Sequence, residues 1–366
     1  MIKVTLNDEM LKRISAIDEK RIMLRSINIP VITRNKLRKN SRKKSSYASN
    51  RIEGNPLTEA QADEAIESDP HKHFLRPEQE IRNYFMALDL LEKKRKEKTP
   101  FSVPLILEVQ ALVEKGAPKE KIGLRGPMPP GVLFAVYDDK SGHADYIPPE
   151  YSDIPGLLDE LVEYVTTTQT HPLIVASVVH YQLVTIHPFE DGNGRTARLM
   201  SGYILDTLGY GFGGIGSLEE YFAYDPAEYY ASLQMGLPAL YYSGRENPPH
   251  PEIWVCYFLR MVELYADKIY ELSVGSQKEN IAGSLSYINK GEKELLKLLL
   301  QKKIYEFSPI EISKMMGVTN KTIINRCVKL SENGFIKPNI VKQRIRTYSL
   351  STFSKENCTA VLKALQ

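Results

Sequence analysis

Between Thr185 and Met200 the chain reads TIHPFEDGNGRTARLM, and no other stretch constrains its fold and chemistry as tightly. The apolar run Leu173–Ile186, with Pro172 at its first turn, predicts a buried helix that delivers His187 into a tight turn. Gly192 and Gly194 flank Asn193, so the backbone can curl there with its N–H groups pointing inward. A second helix opens directly afterwards and adds the positive end of its dipole. Amides and dipole together make a phosphate cradle. Arg195 and Arg198, three apart, share one face of the second helix, where two guanidiniums can grip phosphates bidentately. Asp191 supplies a carboxylate oxygen suited to Mg²⁺. His187 is the side chain that titrates nearest neutrality, which makes it the candidate general base. A Gly-x-Gly alone is usually a turn, and a histidine after a core helix is usually structural. Their packing with Asp191 and two arginines within twelve residues carries the phosphate reading.

Most of the remaining sequence reads as helix. Ile81–Lys98 and Pro104–Lys115 carry apolar residues at helical spacing, the latter closed by Gly116. Thr58-x-x-Gln61 is a capping box that opens another helix, and Ile154–Thr168 is a further one. Ser49–Gly54 predicts a helical turn ended at Gly54-Asn55-Pro56, with Ser49 and Glu53 on one face. Residues 123–149 break the rhythm with Gly and Pro. There Val132–Tyr137 and Ala144–Ile147 predict a hairpin around the turn 138–143. Such a hairpin must lean on the helical body, and its edge can pair with an extended peptide.

A polar, glycine-containing stretch at Ser273–Ser286 reads as a linker. Beyond it come a helix over Gly291–Phe307, a short one over Ser308–Met316 and a turn at Gly317-Val318-Thr319. A further helix over Asn320–Glu332 and strands at Phe335–Pro338 and Arg344–Leu350 follow. That is the order of a winged helix-turn-helix. The expected organisation is therefore an N-terminal helical region (1–75), a core (76–275) and a winged-helix tail (285–366).

Charge separates the same parts. From Ile281 onward there are 15 Lys/Arg against 6 Asp/Glu, a balance of +9, which leaves −6 for residues 1–280. Such a tail suits an anionic partner, nucleic acid first, although a lysine-rich solvated surface would look the same. Lys321, Asn325, Arg326 and Lys329 on the second tail helix, with Lys342, Arg344 and Arg346 on the wing, are the candidate DNA contacts. A protein-contact or homodimer role for the tail remains open. A second basic run, Arg34–Lys44, reads as a solvated helix face. Three scattered cysteines exclude a disulfide scaffold and fit a cytoplasmic protein. The start carries no signal-peptide pattern, and no run is apolar enough to span a membrane.

The segment HPFEDGNGRTAR, from His187 to Arg198, resembles the signature of the Fic-domain proteins at every motif position. The resemblance extends to the preceding helix, to the hairpin as the family's flap, and to Glu80-Ile81-x-Asn83-Tyr84 and Glu228-Tyr229-Tyr230. It spans residues from about 45 to 240. Gln110 stands where a family histidine is expected, and Ala197 replaces the commoner glycine. The implied fold is mainly α, a Fic helical bundle with a small β-hairpin flap, followed by the winged-helix domain. The implied activity is transfer of AMP from ATP to a Tyr, Thr or Ser hydroxyl of an unidentified target protein, including the chain itself. By this resemblance His187 is the base and Asp191 the Mg²⁺ ligand. Gly192, Asn193, Gly194, Arg195, Thr196, Ala197, Arg198 and Tyr221 bind nucleotide, with Tyr221 at the adenosine. Ser49 and Glu53 resemble the family's inhibitory helix, in which Glu53 would pair with Arg198. The alternatives are a transcription regulator whose Fic core only senses nucleotide, and removal of AMP by water activated at Glu53.

Overall fold

The structure, a computed structural model, describes residues 1–366 except Asn28, 138–143, 238–247, 342–343 and Gln366. It divides into two compact units, one of Met1–Arg21 with Arg34–Ile269, the other of Ile22–Thr33 with Tyr270–Gln366.

The first unit is helical. After α1 (Asp8–Arg25) comes α2 (Val31–Ile52), whose last turn is the expected Ser49 turn, so that turn belongs to a 22-residue helix. Thr58 caps α3 (Glu59–Glu67) through the expected box. Then come α4 (Arg76–Lys96), α5 (Val103–Val113), the hairpin β1 (Val136–Tyr137) and β2 (Ala144–Tyr146), and α6 (Ile154–Thr167). The strands are shorter than expected, and the turn at 138–143 lies outside the described residues. Next are α7 (Pro172–Ile186) and α8 (Asn193–Thr207), followed by the short α9 (Glu219–Phe222), α10 (Pro226–Gln234) and α11 (Pro251–Ser286). Because α7 is buried on every side, its sequence has no polar face. It lies against α6 and α8, with α4 and α5 also packed on α8. Trp254 of α11 is fully buried and donates its indole N–H to the Ser177 carbonyl at 2.8 Å.

The linker expected at Ser273–Ser286 is instead the end of α11. Ile281 and Leu285, four apart on one face, are buried in the second unit's core, and that burial outweighs the helix cost of Gly275 and Gly283. The second unit continues with α12 (Lys290–Gln301), β3 (Glu306–Phe307), α13 (Pro309–Met316) and α14 (Asn320–Glu332). It ends with β4 (Ile336–Val341), β5 (Arg344–Leu350), α15 (Thr352–Glu356) and α16 (Cys358–Ala364). The helix expected over Gly291–Phe307 stops at Gln301, where Lys303 turns to positive φ and Glu306–Phe307 join the sheet. The sheet is antiparallel in the order β3-β5-β4. Leu295, Leu299, Ile323, Cys327, Leu330 and Phe335 form its core. Asn289 and Ser308 start α12 and α13 with capping boxes.

Within the basic run Arg34, Lys36, Lys39 and Lys44 are exposed, as a solvated face requires, but Arg38, Arg42 and Lys43 are half-buried in ion pairs. Arg38 and Arg42 both pair with Glu92 of α4, Lys43 with Asp63 and Glu67 of α3, and Lys44 with Glu220 of α9. The complementary carboxylates lie far away in sequence, which is why the run reads as solvated when met alone.

Candidate active site

His187 caps α7 in the left-handed region, with φ 49° and ψ 58°. That geometry is sparsely populated by residues with a Cβ, so its surroundings must hold it there. Arg125, from the strand-like approach to the hairpin, does so. Its Nε donates to the His187 carbonyl at 2.9 Å, its Nη2 donates to the Pro149 carbonyl, and its backbone N–H donates to the Pro188 carbonyl at 2.9 Å. Tyr146 of β2 donates its hydroxyl to the Thr185 carbonyl, which ties the flap to α7. The His187 Nδ1 lies 3.2 Å from the Val184 carbonyl. A carbonyl only accepts, so Nδ1 carries the proton and Nε2 presents a lone pair. Burial pushes the imidazole pKa down to about 4, with Arg125 adding to it and the Val184 bond opposing. The ring is therefore an unprotonated base at neutral pH.

Asp191 Oδ1 accepts from Gly192 N–H at 2.8 Å and from Arg195 Nη2 at 3.1 Å, and Oδ2 accepts from Lys121 Nζ at 3.0 Å. Burial works against the charge, but Lys121 and Arg195 outweigh it and hold the carboxyl below its ordinary value. Gln110 braces this loop. Its amide donates to the Lys121 and Asp191 carbonyls at 2.8 and 3.2 Å, and its oxygen accepts from Gly123 N–H at 3.0 Å. Among the described residues no group of three or more His, Cys, Asp or Glu gathers to form a metal cage. An ionised, partly exposed carboxylate beside a phosphate cradle fits Mg²⁺ all the same, because Mg²⁺ is commonly held by one or two carboxylates with substrate phosphates and water.

Gly192, at φ 79°, ends the turn and begins α8. The left-handed backbone favours glycine there, and a Cβ would come within 2.9 Å of Glu114 Oε1, so a larger residue would also push that side chain aside. The first N–H groups of α8 have no intrahelical acceptor. Asn193 staples the loop: its amide accepts from Phe189 N–H at 3.0 Å and donates to the Phe189 carbonyl at 2.9 Å. Ala197 is fully buried. Arg195 is held by Asp191 and by the wholly buried Glu114, whose Oε1 lies 2.8 Å from Nη2. Its Nε and Nη1, and the Thr196 hydroxyl, are buried without a hydrogen-bond partner among the described residues. Unspent buried donors at a helix N-terminus point to an anionic ligand.

Arg198 is fully taken up. Its Nε donates to Ser49 Oγ at 2.8 Å, and its Nη2 donates to the Ser49 carbonyl at 3.0 Å and to Glu53 Oε1 at 2.6 Å. Burial opposes the guanidinium charge, but Glu53, helped by Tyr229 and Tyr84, more than offsets it and raises the pKa. The Glu53 carboxylate also lies where a Cβ on Gly194 would stand, 2.4 Å from that position, and so it reaches into the cradle. Tyr221 lies on α9, within electrostatic reach of the buried Tyr265. Tyr229 of α10 touches the motif, its oxygen lying 3.4 Å from Arg198 Nη1. Lys121, Glu114, Arg125 and Tyr229 carry no spacing signal in sequence. Tyr229 lies in the stretch Glu228-Tyr229-Tyr230, Glu114 in the expected helix Pro104–Lys115 and Arg125 in the Gly/Pro-rich stretch 123–149, but none of those readings assigns them a role.

The Fic/DOC family profile matches residues 100–205. The stretch that holds the cradle and the hairpin is thus similar to the Fic/DOC family. Protein adenylyltransferase Fic of Drosophila mojavensis is 30% identical over 219 residues, covering 57% of this chain and 40% of that protein. The Drosophila grimshawi protein of the same name is 28% identical over 211 residues, 54% and 40% of the two chains. This chain thus spans about two fifths of the length of these curated relatives. A Fic family protein from Desulfovibrio desulfuricans superposes with a TM-score of 0.57 at 20% identity, over 96% of this chain and 98% of that one. Fic-1 from C. elegans superposes at 0.55 and 24%, over 74% and 73%. These two likenesses bear on the fold. No helix among the described residues is long and apolar enough to cross a membrane.

Proposed function

We propose that the protein is an autoinhibited adenylyltransferase that moves AMP from ATP to a Tyr, Thr or Ser hydroxyl of a protein, itself included. The observation that carries this reading is His187, its Nδ1 on the Val184 carbonyl, next to a cradle in which Arg195 Nε and the Thr196 hydroxyl have no hydrogen-bond partner among the described residues. The hydroxyl oxygen attacks the α-phosphorus, the bond to the β-phosphate oxygen breaks, and pyrophosphate leaves. The hydroxyl proton goes to His187 Nε2. The α8 amides stabilise charge at the α-phosphate, Arg195 takes the β-phosphate, and Arg198 takes the γ-phosphate once Glu53 yields it. Mg²⁺ held by Asp191 would neutralise charge on the α- and β-phosphates. Ser49 and Glu53 act as the inhibitory pair: while they hold Arg198 the triphosphate cannot settle with its α-phosphorus in line. The name shared by the Drosophila relatives supports the reaction class. Incubation with labelled ATP tests it. His187→Ala should lose about 10²–10⁴-fold in transfer while still binding ATP, and transfer at the parent rate would refute the base.

A second activity is supported in the tail. Lys321, Asn325 and Lys329 are exposed on one face of α14, in a segment of balance +9. Arg326 is not on that face: its guanidinium lies over Gly291, where a Cβ would clash at 2.6 Å. Of the expected wing residues, Lys342 lies outside the described residues. We therefore place duplex DNA at α14 and the wing of a winged-helix unit, in a cytoplasmic protein. Low-salt binding to mixed duplexes that weakens steeply as salt rises would support this. Pairing of two chains through the tail without DNA binding would replace it with the homodimer reading.

A further inference from the structure

Behind Arg198 lie two fully buried polar side chains that have no part in the scheme above: His180 of α7 and Tyr229 of α10. His180 Nε2 is 2.8 Å from the Tyr229 hydroxyl, and Nδ1 is 3.2 Å from Ser201 Oγ. Arg198 Nη1 is 3.4 Å from the same Tyr229 oxygen, and Ser201 Oγ is 3.0 Å from the Arg198 carbonyl. The direction of every bond is forced. A guanidinium only donates, so the Tyr229 oxygen accepts from it. A carbonyl only accepts, so the Ser201 proton goes to the Arg198 backbone. Ser201 Oγ must then accept from His180 Nδ1–H. A neutral imidazole protonated at Nδ1 has its lone pair at Nε2, and the Tyr229 proton goes there. The bonds close a ring that begins at the Arg198 side chain and ends at the Arg198 carbonyl.

Nothing in this ring belongs to α2, so it survives if Ser49 and Glu53 withdraw. It is also shut off from water. Trp254 lies 4.8 Å from the His180 ring centroid, and Phe222, Tyr229 and Phe258 present edges to it. Burial and the nearby Arg198 charge keep the imidazole neutral, well below its ordinary pKa. A cationic His180 would turn Nε2 into a donor and compete with Arg198 for the Tyr229 oxygen.

We propose that His180 is a positioning residue for the far end of the triphosphate: by fixing the Tyr229 hydroxyl as an acceptor towards Arg198, it keeps the guanidinium aimed at the γ-phosphate seat after Glu53 has left. This rests on Arg198 being a triphosphate ligand, as proposed above. Residues that hold a charged group through a chain of satisfied buried hydrogen bonds act as one unit, so partial satisfaction is worse than none.

The test measures ATP and AMP dissociation constants on the full chain in a Glu53→Gly background. His180→Leu should weaken ATP about tenfold, the scale of a hydrogen bond to a charged group, and leave AMP unchanged. Tyr229→Phe should do the same, and the double variant should be no worse than either alone. His180→Gln should stay near the parent, because its amide oxygen can accept from Tyr229. Nitrogen NMR on the parent should show His180 protonated at Nδ1 and bare at Nε2. Equal loss of ATP and AMP, an unchanged ATP to AMP ratio in both single variants, or the opposite tautomer would overturn the proposal. Should His180→Leu fail to fold, the near-isosteric Tyr229→Phe decides. A parent that binds neither nucleotide would sink the nucleotide-transfer reading itself, an outcome separate from a parent that binds ATP with indifferent variants.

Discussion

Replacing Glu53 by glycine separates an inhibitory clamp from a structural ion pair. Arg198 is 1% exposed at its side chain and Glu53 32% exposed. Breaking a fully buried pair costs about 3–5 kcal/mol because one charge is left alone in low dielectric. Here solvent already screens the carboxylate, and Arg198 keeps Ser49 Oγ, the Ser49 carbonyl and Tyr229. About 1–2 kcal/mol is then a fair cost for Glu53→Gly. The same free energy is what an arriving γ-phosphate must overcome, so its removal should raise transfer about 5–30-fold. Transfer of labelled AMP to the chain itself, at saturating ATP, gives the gain, and thermal unfolding gives the cost. Arg198→Ala also breaks the pair but deletes the phosphate's ligand, so its activity should stay low, and the double variant should match it. A folded Glu53→Gly chain with no gain in transfer would refute the clamp and favour a role for Glu53 in activating water.

Three further outcomes follow from the same geometry. With the His187 pKa at about 4, transfer by the Glu53→Gly chain should be flat from about pH 8 to 6 and fall only towards pH 4; removing Glu53, whose charge raises that pKa, moves the fall further down, and half-loss near pH 6.5 would contradict the buried-base assignment. His180 and His187 are neutral in the fold but protonate in the unfolded chain below about pH 6.5, so each should remove about 1.4 kcal/mol of stability per pH unit between there and its folded pKa; unfolding free energies across pH 7 to 5 that stay level would show otherwise. Lys121→Met takes a competing ammonium off Asp191 and should lower the Mg²⁺ needed for half-maximal nucleotide binding about two- to fivefold, whereas a higher requirement would make Lys121 a helper of the phosphates.

The motif was legible because its parts are contiguous. His187 to Arg198 needs one turn and one helix, and local chemistry fixes both. The contact of Ser49 and Glu53 with Arg198 is expected only through resemblance, since a Ser and a Glu four apart carry no physical signal of a partner 145 residues away. At Asn193 and Ala197 the sequence does not show how the side chain is used in the fold: Asn193 closes the turn on Phe189 through its amide, and Ala197 is wholly buried. Lys121, Glu114 and Arg125 were invisible because a loop bond, a lone carboxylate after an apolar helix and a guanidinium on carbonyls are tertiary facts. The third strand of the tail escaped for a similar reason: two residues, Glu306 and Phe307, have no periodicity to read, and only pairing with Ser349 and Tyr348 defines them.

How α2 is seated bears on how the proposed clamp would open. Its buried face is made of Ser41, Ser45, Ser46, Ser49 and Asn50, with Ala48 and Ile52 as the only buried apolar side chains. Small polar residues let a helix approach closely but release little free energy from apolar burial. What holds α2 is polar: Ser45 to Glu219 at 2.7 Å, Ser49 to Arg198, and partly exposed pairs from Arg38, Arg42 and Lys44 to Glu92 and Glu220. Such pairs are weak singly and are screened by salt, whereas the buried Arg198 is shielded from it. Raising salt from about 0.05 to 0.5 M should therefore loosen α2 and increase transfer by the parent about two- to fivefold. The Glu53→Gly chain, in which only the Ser49 contacts to Arg198 are left to release, should show a smaller rise. Equal salt responses of the two chains would mean that the outer ion pairs do not hold the clamp, and that the whole restraint lies in the single contact between Glu53 and Arg198.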